Sequence, residues 1–243
     1  MSDYSKNKPP KRVPIEGKRV TAPGGVARHT PERLKTKGSK LTPSSKAWLE
    51  RQLSDPYVQR AKREGWRSRA AFKLIEIDEK VGLLRRGLRV VDLGGAPGGW
   101  SQFAIKKGAR GVVAIDLLPI EPITGVDIIE GDFLDEDAPT RVMELLGGAP
   151  DLVLSDMAAD TTGHRPTDQL RTAALFEAAV DFALENVALG GSFCGKVFQG
   201  GADAAILQRL KQGFEKVKHI KPPASRKESP ELFVVAQGRK RKT

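Results

Sequence analysis

Val91-Asp92-Leu93-Gly94-Gly95-Ala96-Pro97-Gly98-Gly99-Trp100-Ser101 decides how the rest of the chain is read. An apolar run ends in an acid, passes through four glycines and enters a stretch of helical character. A glycine-rich turn between a strand and a helix lets a ligand approach the backbone at the carboxyl end of a sheet. Working outward, short runs rich in Val, Ile and Leu alternate with helical stretches. The predicted strands are 88–93, 111–117, 126–130, 151–156, 191–198, 214–220 and 231–237. Helices are predicted at about 99–107, 137–146, 167–188 and 202–212. Apolar strands with crossover helices indicate an α/β, Rossmann-like, mostly parallel doubly wound sheet. Only a loop, 221–230, separates the last two strands, so the sheet is expected to end in an antiparallel hairpin.

Upstream, Pro56 is placed in the first turn of a helix through Tyr57, Val58 and Ala61 that Gly65 breaks. Ser68 is expected to cap a further helix from Arg69 to Val81, and Ser44 or Ser45 one through Trp48 and Leu53. Residues 1–45 differ in kind: they hold 11 basic and 3 acidic residues, with six prolines and no periodicity. That composition cannot offset the entropy of ordering, so 1–45 is expected to be a disordered basic tail and 46–243 the folded domain. The net charge of +11 points to a polyanionic partner, nucleic acid foremost. The tail is expected to meet phosphates without reading sequence, and Arg60, Lys62, Arg63, Arg67 and Arg69 of the domain to position the substrate.

Several classes are disfavoured. The single cysteine, Cys194, cannot form an intramolecular disulfide or a paired-cysteine site, and three separated histidines make a metal centre improbable. No run approaches the roughly 18–20 apolar residues that span a membrane. The first residues lack the apolar core of a secretory signal, so the protein is expected in the cytoplasm.

Two acids follow the glycine turn on successive strand ends, Asp116 and Asp132. Asp116 is placed to accept hydrogen bonds from ribose hydroxyls and Asp132 to reach an adenine amino group; each could equally cap a turn. The turn departs from Gly-x-Gly-x-x-Gly, and Pro97 removes an amide that a pyrophosphate would use. These features favour S-adenosylmethionine over a dinucleotide. Asp156 closes the fourth strand and Lys196 lies near the end of the fifth, where doubly wound sheets bind ligands. Lys196 is costly in so apolar a strand unless it faces a cleft or a partner. Lys73 on the helix before the sheet, and Glu231 opening the last strand, read singly as solvated residues.

Taken together, Ser68–Leu74, Val91–Ser101, Asp116-Leu117-Leu118-Pro119, Gly131-Asp132-Phe133, Ser155–Ala158, Gly195–Phe198 and Ser229–Phe233 resemble the FtsJ family of ribosomal-RNA 2′-O-ribose methyltransferases. The likeness runs from about Asp55 to Lys240 and is strongest to the bacterial large-subunit members. It implies a methyltransferase fold with a mostly parallel seven-stranded sheet, a terminal antiparallel strand, and S-adenosylmethionine as cofactor. The family's catalytic tetrad maps onto Lys73, Asp156, Lys196 and Glu231. Glu228 competes for the last place, and the spacing to Ala236–Lys240 favours Glu231. Cofactor contacts map onto Gly98, Trp100, Asp116, Asp132 and Asp156. The implied reaction is methylation of a uridine ribose 2′-hydroxyl in 23S rRNA, on the large subunit, by a monomer. A tRNA substrate, or a non-catalytic ribosome-assembly factor, are the alternatives. Lys196 is the candidate base, or else a cation that stabilises the forming alkoxide. Carbon-5 methylation would need a nucleophilic cysteine, and Cys194 sits in an apolar run. Adenine amino methylation would need a proline-rich turn, where this chain has Ser155-Asp156-Met157-Ala158.

Overall fold

A computed structural model describes residues 53–159, 163–200 and 204–241. The tail 1–45 and most of the helix expected through Trp48 lie outside the described residues. The first helix, α1 (Pro56–Glu64), starts where Asp55 accepts the Tyr57 amide at 3.0 Å and Pro56 fills the first turn; it ends at left-handed Gly65. The next, α2 (Ala70–Val81), has Arg69 as its N-cap residue, while the Ser68 hydroxyl accepts the Ala70 amide from one position further back. Then follow β1 (Arg89–Leu93), α3 (Gly99–Lys106), β2 (Gly111–Asp116), β3 (Val126–Glu130), α4 (Ala138–Leu146), β4 (Leu152–Ser155), α5 (Arg165–Asn186), β5 (Ser192–Phe198), α6 (Ala204–Gly213), β6 (Phe214–Ile220) and β7 (Glu231–Arg239).

The seven strands run in the order β3-β2-β1-β4-β5-β7-β6. Strands β1 to β5 pair in parallel, and β7 runs antiparallel to both β5 and β6. The antiparallel strand expected at the end of the chain is thus inserted between β5 and β6, leaving β6 at the edge. Lysines at 216 and 218 on that edge discourage pairing with another sheet.

Each sheet face carries its own core. Helices α1, α2 and α3 cover one face, where Phe72, Leu74, Ile77, Trp100, Leu154, Cys194 and Phe233 pack. Helices α4, α5 and α6 cover the other with Val142, Phe176, Val180, Phe193 and Leu210. Burying side chains of this size contributes roughly 1.5–3 kcal/mol each, so these faces fix the strand register.

Asp92 interrupts this apolar pattern. It is fully buried on β1; one carboxyl oxygen accepts the Ser101 hydroxyl at 2.6 Å and the other has no hydrogen-bond partner among the described residues. Burial pushes its carboxyl up to about 7, against the Ser101 hydrogen bonds, and the charge of Asp156 adds to the rise. The folded protein therefore holds a proton there that the unfolded chain releases near pH ~4. Between that pH and about 7 the unfolded state binds fewer protons, so stability falls as pH rises through the window. Asp92→Asn keeps an acceptor for Ser101 and removes the ionisation. In thermal melts the variant's melting temperature should rise relative to wild type by several degrees between pH ~4 and pH ~7. Parallel pH dependences for the two proteins would show that Asp92 does not titrate in this way.

Candidate active site

The glycine turn is shaped by what lies beside it. Gly94 has φ +74°, and a Cβ there would lie 2.8 Å from the backbone of Met157. Only glycine permits the turn after β1 to press against the segment after β4. That contact brings the turn next to Asp156, whose amide donates to the Leu93 carbonyl at 3.1 Å.

Asp156 is the centre of a buried chain of alternating charges. The Lys196 Nζ lies 2.9 Å from Asp156 Oδ1 and donates to the Asp156 carbonyl at 2.6 Å. On the other side, Lys73 Nζ lies 3.4 Å from Asp156 Oδ2 and donates to Glu231 Oε2 at 2.7 Å. Parallel pairing of β4 with β5 sets Ser155 opposite Gly195, which brings Asp156 beside Lys196. Antiparallel pairing sets Phe198 opposite Glu231, two residues along β5 from Lys196 and therefore on its face of the sheet. Helix α2 supplies Lys73 from above that face. Residues Lys73, Asp156, Lys196 and Glu231, which the resemblance grouped as a tetrad, form one cluster. Glu228 is exposed and stands apart from it.

The charges support one another. Burial alone pushes Asp156 up, yet Lys196 and Lys73 outweigh it and hold the carboxyl below its ordinary value. Burial likewise pulls Lys73 down, but Asp156 and Glu231 reverse the effect and keep it charged. Lys196 thus meets both the side chain and the backbone of Asp156, through Oδ1 and the carbonyl. The thiol of Cys194 is fully buried, and burial pushes it far above the ordinary thiol range, which makes it packing rather than a nucleophile.

Asp116 and Asp132 stand at the ends of β2 and just beyond β3. Asp116 accepts the amides of Ala96 and Leu118, both at 2.9 Å, so it braces the glycine turn as well as its own. Asp132 accepts the Leu134 amide at 2.9 Å. Each carboxylate oxygen can accept a second donor. The Trp100 ring is buried against Phe233, with its N–H donated to the Ala70 carbonyl at 2.8 Å. Only its backbone is thereby left to meet a ligand, at the N-terminus of α3 where amides lack intrahelical acceptors.

This donor set fits S-adenosylmethionine. Carboxylates stand at successive strand ends for hydroxyl and amino donors. The helix N-terminus suits a carboxylate.

Sequence reasoning missed Arg67, assigning it to RNA. Its guanidinium donates to the carbonyls of Pro97 at 3.2 Å, Glu121 at 2.6 Å and Pro122 at 2.7 Å. It thus ties the glycine turn to the β2–β3 connection. A Cβ at Gly98 (φ +104°) would meet its Cδ at 3.1 Å and Ile123 at 2.7 Å. Arg69 is similarly engaged, with Asp55 and the Ala224 carbonyl. Because their acceptors are backbone carbonyls and one acid far away in sequence, no local pattern announces either role. Lys62 and Arg63 remain exposed.

Comparison with known proteins agrees with this architecture. Residues 66–239 match the FtsJ-like methyltransferase family model. The chain is 51% identical over 249 residues to the ribosomal RNA large subunit methyltransferase E of Gluconobacter oxydans, covering 98% of this chain and 92% of that protein. It is 62% identical over 208 residues to the protein of that name from Novosphingobium aromaticivorans, covering 85% and 93%. A Plasmodium falciparum structure described as a ribosomal RNA methyltransferase superposes with a TM-score of 0.64 at 26% identity, covering 72% of this chain and 98% of that one. With the family model spanning most of the domain and such identity along nearly the whole chain, this protein belongs to the FtsJ-like methyltransferase family.

Proposed function

We propose that this protein methylates the 2′-hydroxyl of a uridine ribose in 23S rRNA, on the large ribosomal subunit. The observation that carries the reading is the buried Lys196–Asp156–Lys73–Glu231 chain beside the glycine turn. The names of the relatives support large-subunit rRNA as the substrate. When bound, S-adenosylmethionine supplies an electrophilic methyl group on a cationic sulfonium. Asp116 and Asp132 hold its adenosine, while Gly98, the Trp100 backbone and Asp156 hold its methionine portion.

A protonated ribose hydroxyl is a poor nucleophile. Lys196 first gives up its own proton to solvent; its neutral Nζ then takes the hydroxyl's proton, and the oxygen's electron pair would form the new bond to the methyl carbon as the carbon–sulfur bond of the bound cofactor breaks. The products are a methyl ether, a neutral thioether and a lysine ammonium. Joining an alkoxide to a sulfonium cancels opposite charges, so a site that excludes water favours the step. Asp156 orients Lys196 and receives it in its charged form. Lys73, held between Asp156 and Glu231, keeps Asp156 ionised and in place.

Methyl transfer from labelled cofactor should appear on large subunits, and nuclease digestion should release the label as 2′-O-methyluridine. Label on a base, or on tRNA in preference to subunits, would overturn the substrate assignment. Lys196→Ala should abolish transfer while leaving cofactor affinity within about twofold of wild type. Lys196→Arg should also be inactive, because an arginine stays charged and cannot take the proton. Substantial activity in the arginine variant would assign Lys196 an electrostatic role instead. Arg67→Met should weaken cofactor binding about tenfold, as expected for loss of charge-assisted hydrogen bonds, with kcat retained at saturation. Unchanged affinity by calorimetry would show that the clamp does not shape the pocket.

A further inference from the structure

Glu231 does not hold its position through Lys73 alone. Its Oε2 accepts Lys73 at 2.7 Å, and its Oε1 accepts the hydroxyl of Ser225 at the same distance. Both oxygens are therefore engaged, which fixes the plane of the carboxylate. Ser225 is only 4% exposed, so water does not compete freely for its hydroxyl.

Ser225 lies on the connection between β6 and β7, and its neighbours are tied down on both sides. The Ala224 amide donates to Glu76 Oε2 at 2.6 Å, and the Ala224 carbonyl accepts from Arg69 at 2.6 Å. Arg226 reaches Asp55 Oδ2 at 3.4 Å, the oxygen that also pairs with Arg69 at 3.0 Å. Glu76 is held in turn by the Tyr57 hydroxyl at 2.7 Å. Arg69, Lys73 and Glu76 are spaced four and three residues apart, which aligns them on one face of the helical segment. The face that presents Lys73 to Glu231 thus also anchors the segment that carries Ser225.

We propose that Ser225 is a positioning residue for methyl transfer, its hydroxyl fixing Glu231 and, through it, Lys73 and Asp156. The proposal rests on the methyltransferase reading above. The charged groups that face Glu231 are Lys73 of α2 directly, then Asp156 after β4, then Lys196 of β5. Loss of the hydroxyl removes a donor to the carboxylate and lets Lys73 shift between its two acids.

The test uses the full chain, large subunits and saturating cofactor. Ser225→Ala should lower kcat about tenfold while leaving KM for subunits and cofactor affinity within about twofold. Ser225→Thr, which keeps a hydroxyl, should restore the rate. In a Glu231→Gln background, Ser225→Ala should cost little more, because the two act as one unit. Wild-type kcat in Ser225→Ala would overturn the proposal, as would full additivity with Glu231→Gln. Loss of KM and kcat together without rescue by threonine would also overturn it, showing a merely structural role. Absence of methyl transfer by the wild-type protein would instead overturn the functional reading.

Discussion

A carboxylate held between two buried ammonium groups is the interaction on which the site depends. Asp156 lies within 3.4 Å of both Lys73 and Lys196, and all three are largely shielded from water. Desolvating an isolated ion costs several kcal/mol, which a protein of ordinary stability could not bear three times over. Alternating the signs removes the difficulty, since each charge has an opposite neighbour. Removing Asp156 would leave Lys196 unpaired, and removing Lys73 would leave Glu231 unpaired, at a cost of about 3–5 kcal/mol. The chain is consequently both a chemical device and a constraint on where four separate segments can sit.

The sheet meets that constraint through its strand order. Placing β4 beside β5 in parallel brings Asp156 next to Lys196. Threading β7 between β5 and β6 sends Glu231 to the same end of the sheet that a parallel strand would reach with its last residue. Helix α2, packed on that face through Phe72, Leu74 and Ile77, supplies Lys73. The glycine turn completes the arrangement, because Gly94 must lie against Met157 for the ligand loop to adjoin the charges.

Much of this was legible in the sequence, and the boundary of legibility has a physical cause. The strands, the crossover helices and the glycine turn are written in local hydrophobic rhythm, so each was found to within about two residues. Lys196 was conspicuous because a lysine in an apolar strand needs a reason. Lys73 and Glu231 were not conspicuous alone, and resemblance to a family grouped them with Asp156. Arg67, Ser225 and Glu76 were invisible for another reason. Their partners are backbone groups or single side chains 6 to 148 positions away, and such contacts leave no trace in periodicity. Asp116 shows the converse limit: it was read as a ligand acceptor, yet it also holds the Ala96 amide. Trp100 was expected at the cofactor, and its ring is instead part of the core.

The central claim is that the negative charge of Asp156 organises both lysines for reaction. Asp156→Asn keeps the side chain's shape and removes that charge. The decisive measurement is the single-turnover rate of methyl transfer to large subunits by this variant at saturating cofactor, with the fold verified by melting. The account predicts a loss of about a hundredfold or more, the scale seen when preorganised electrostatic contacts are removed. A rate near that of wild type would contradict it.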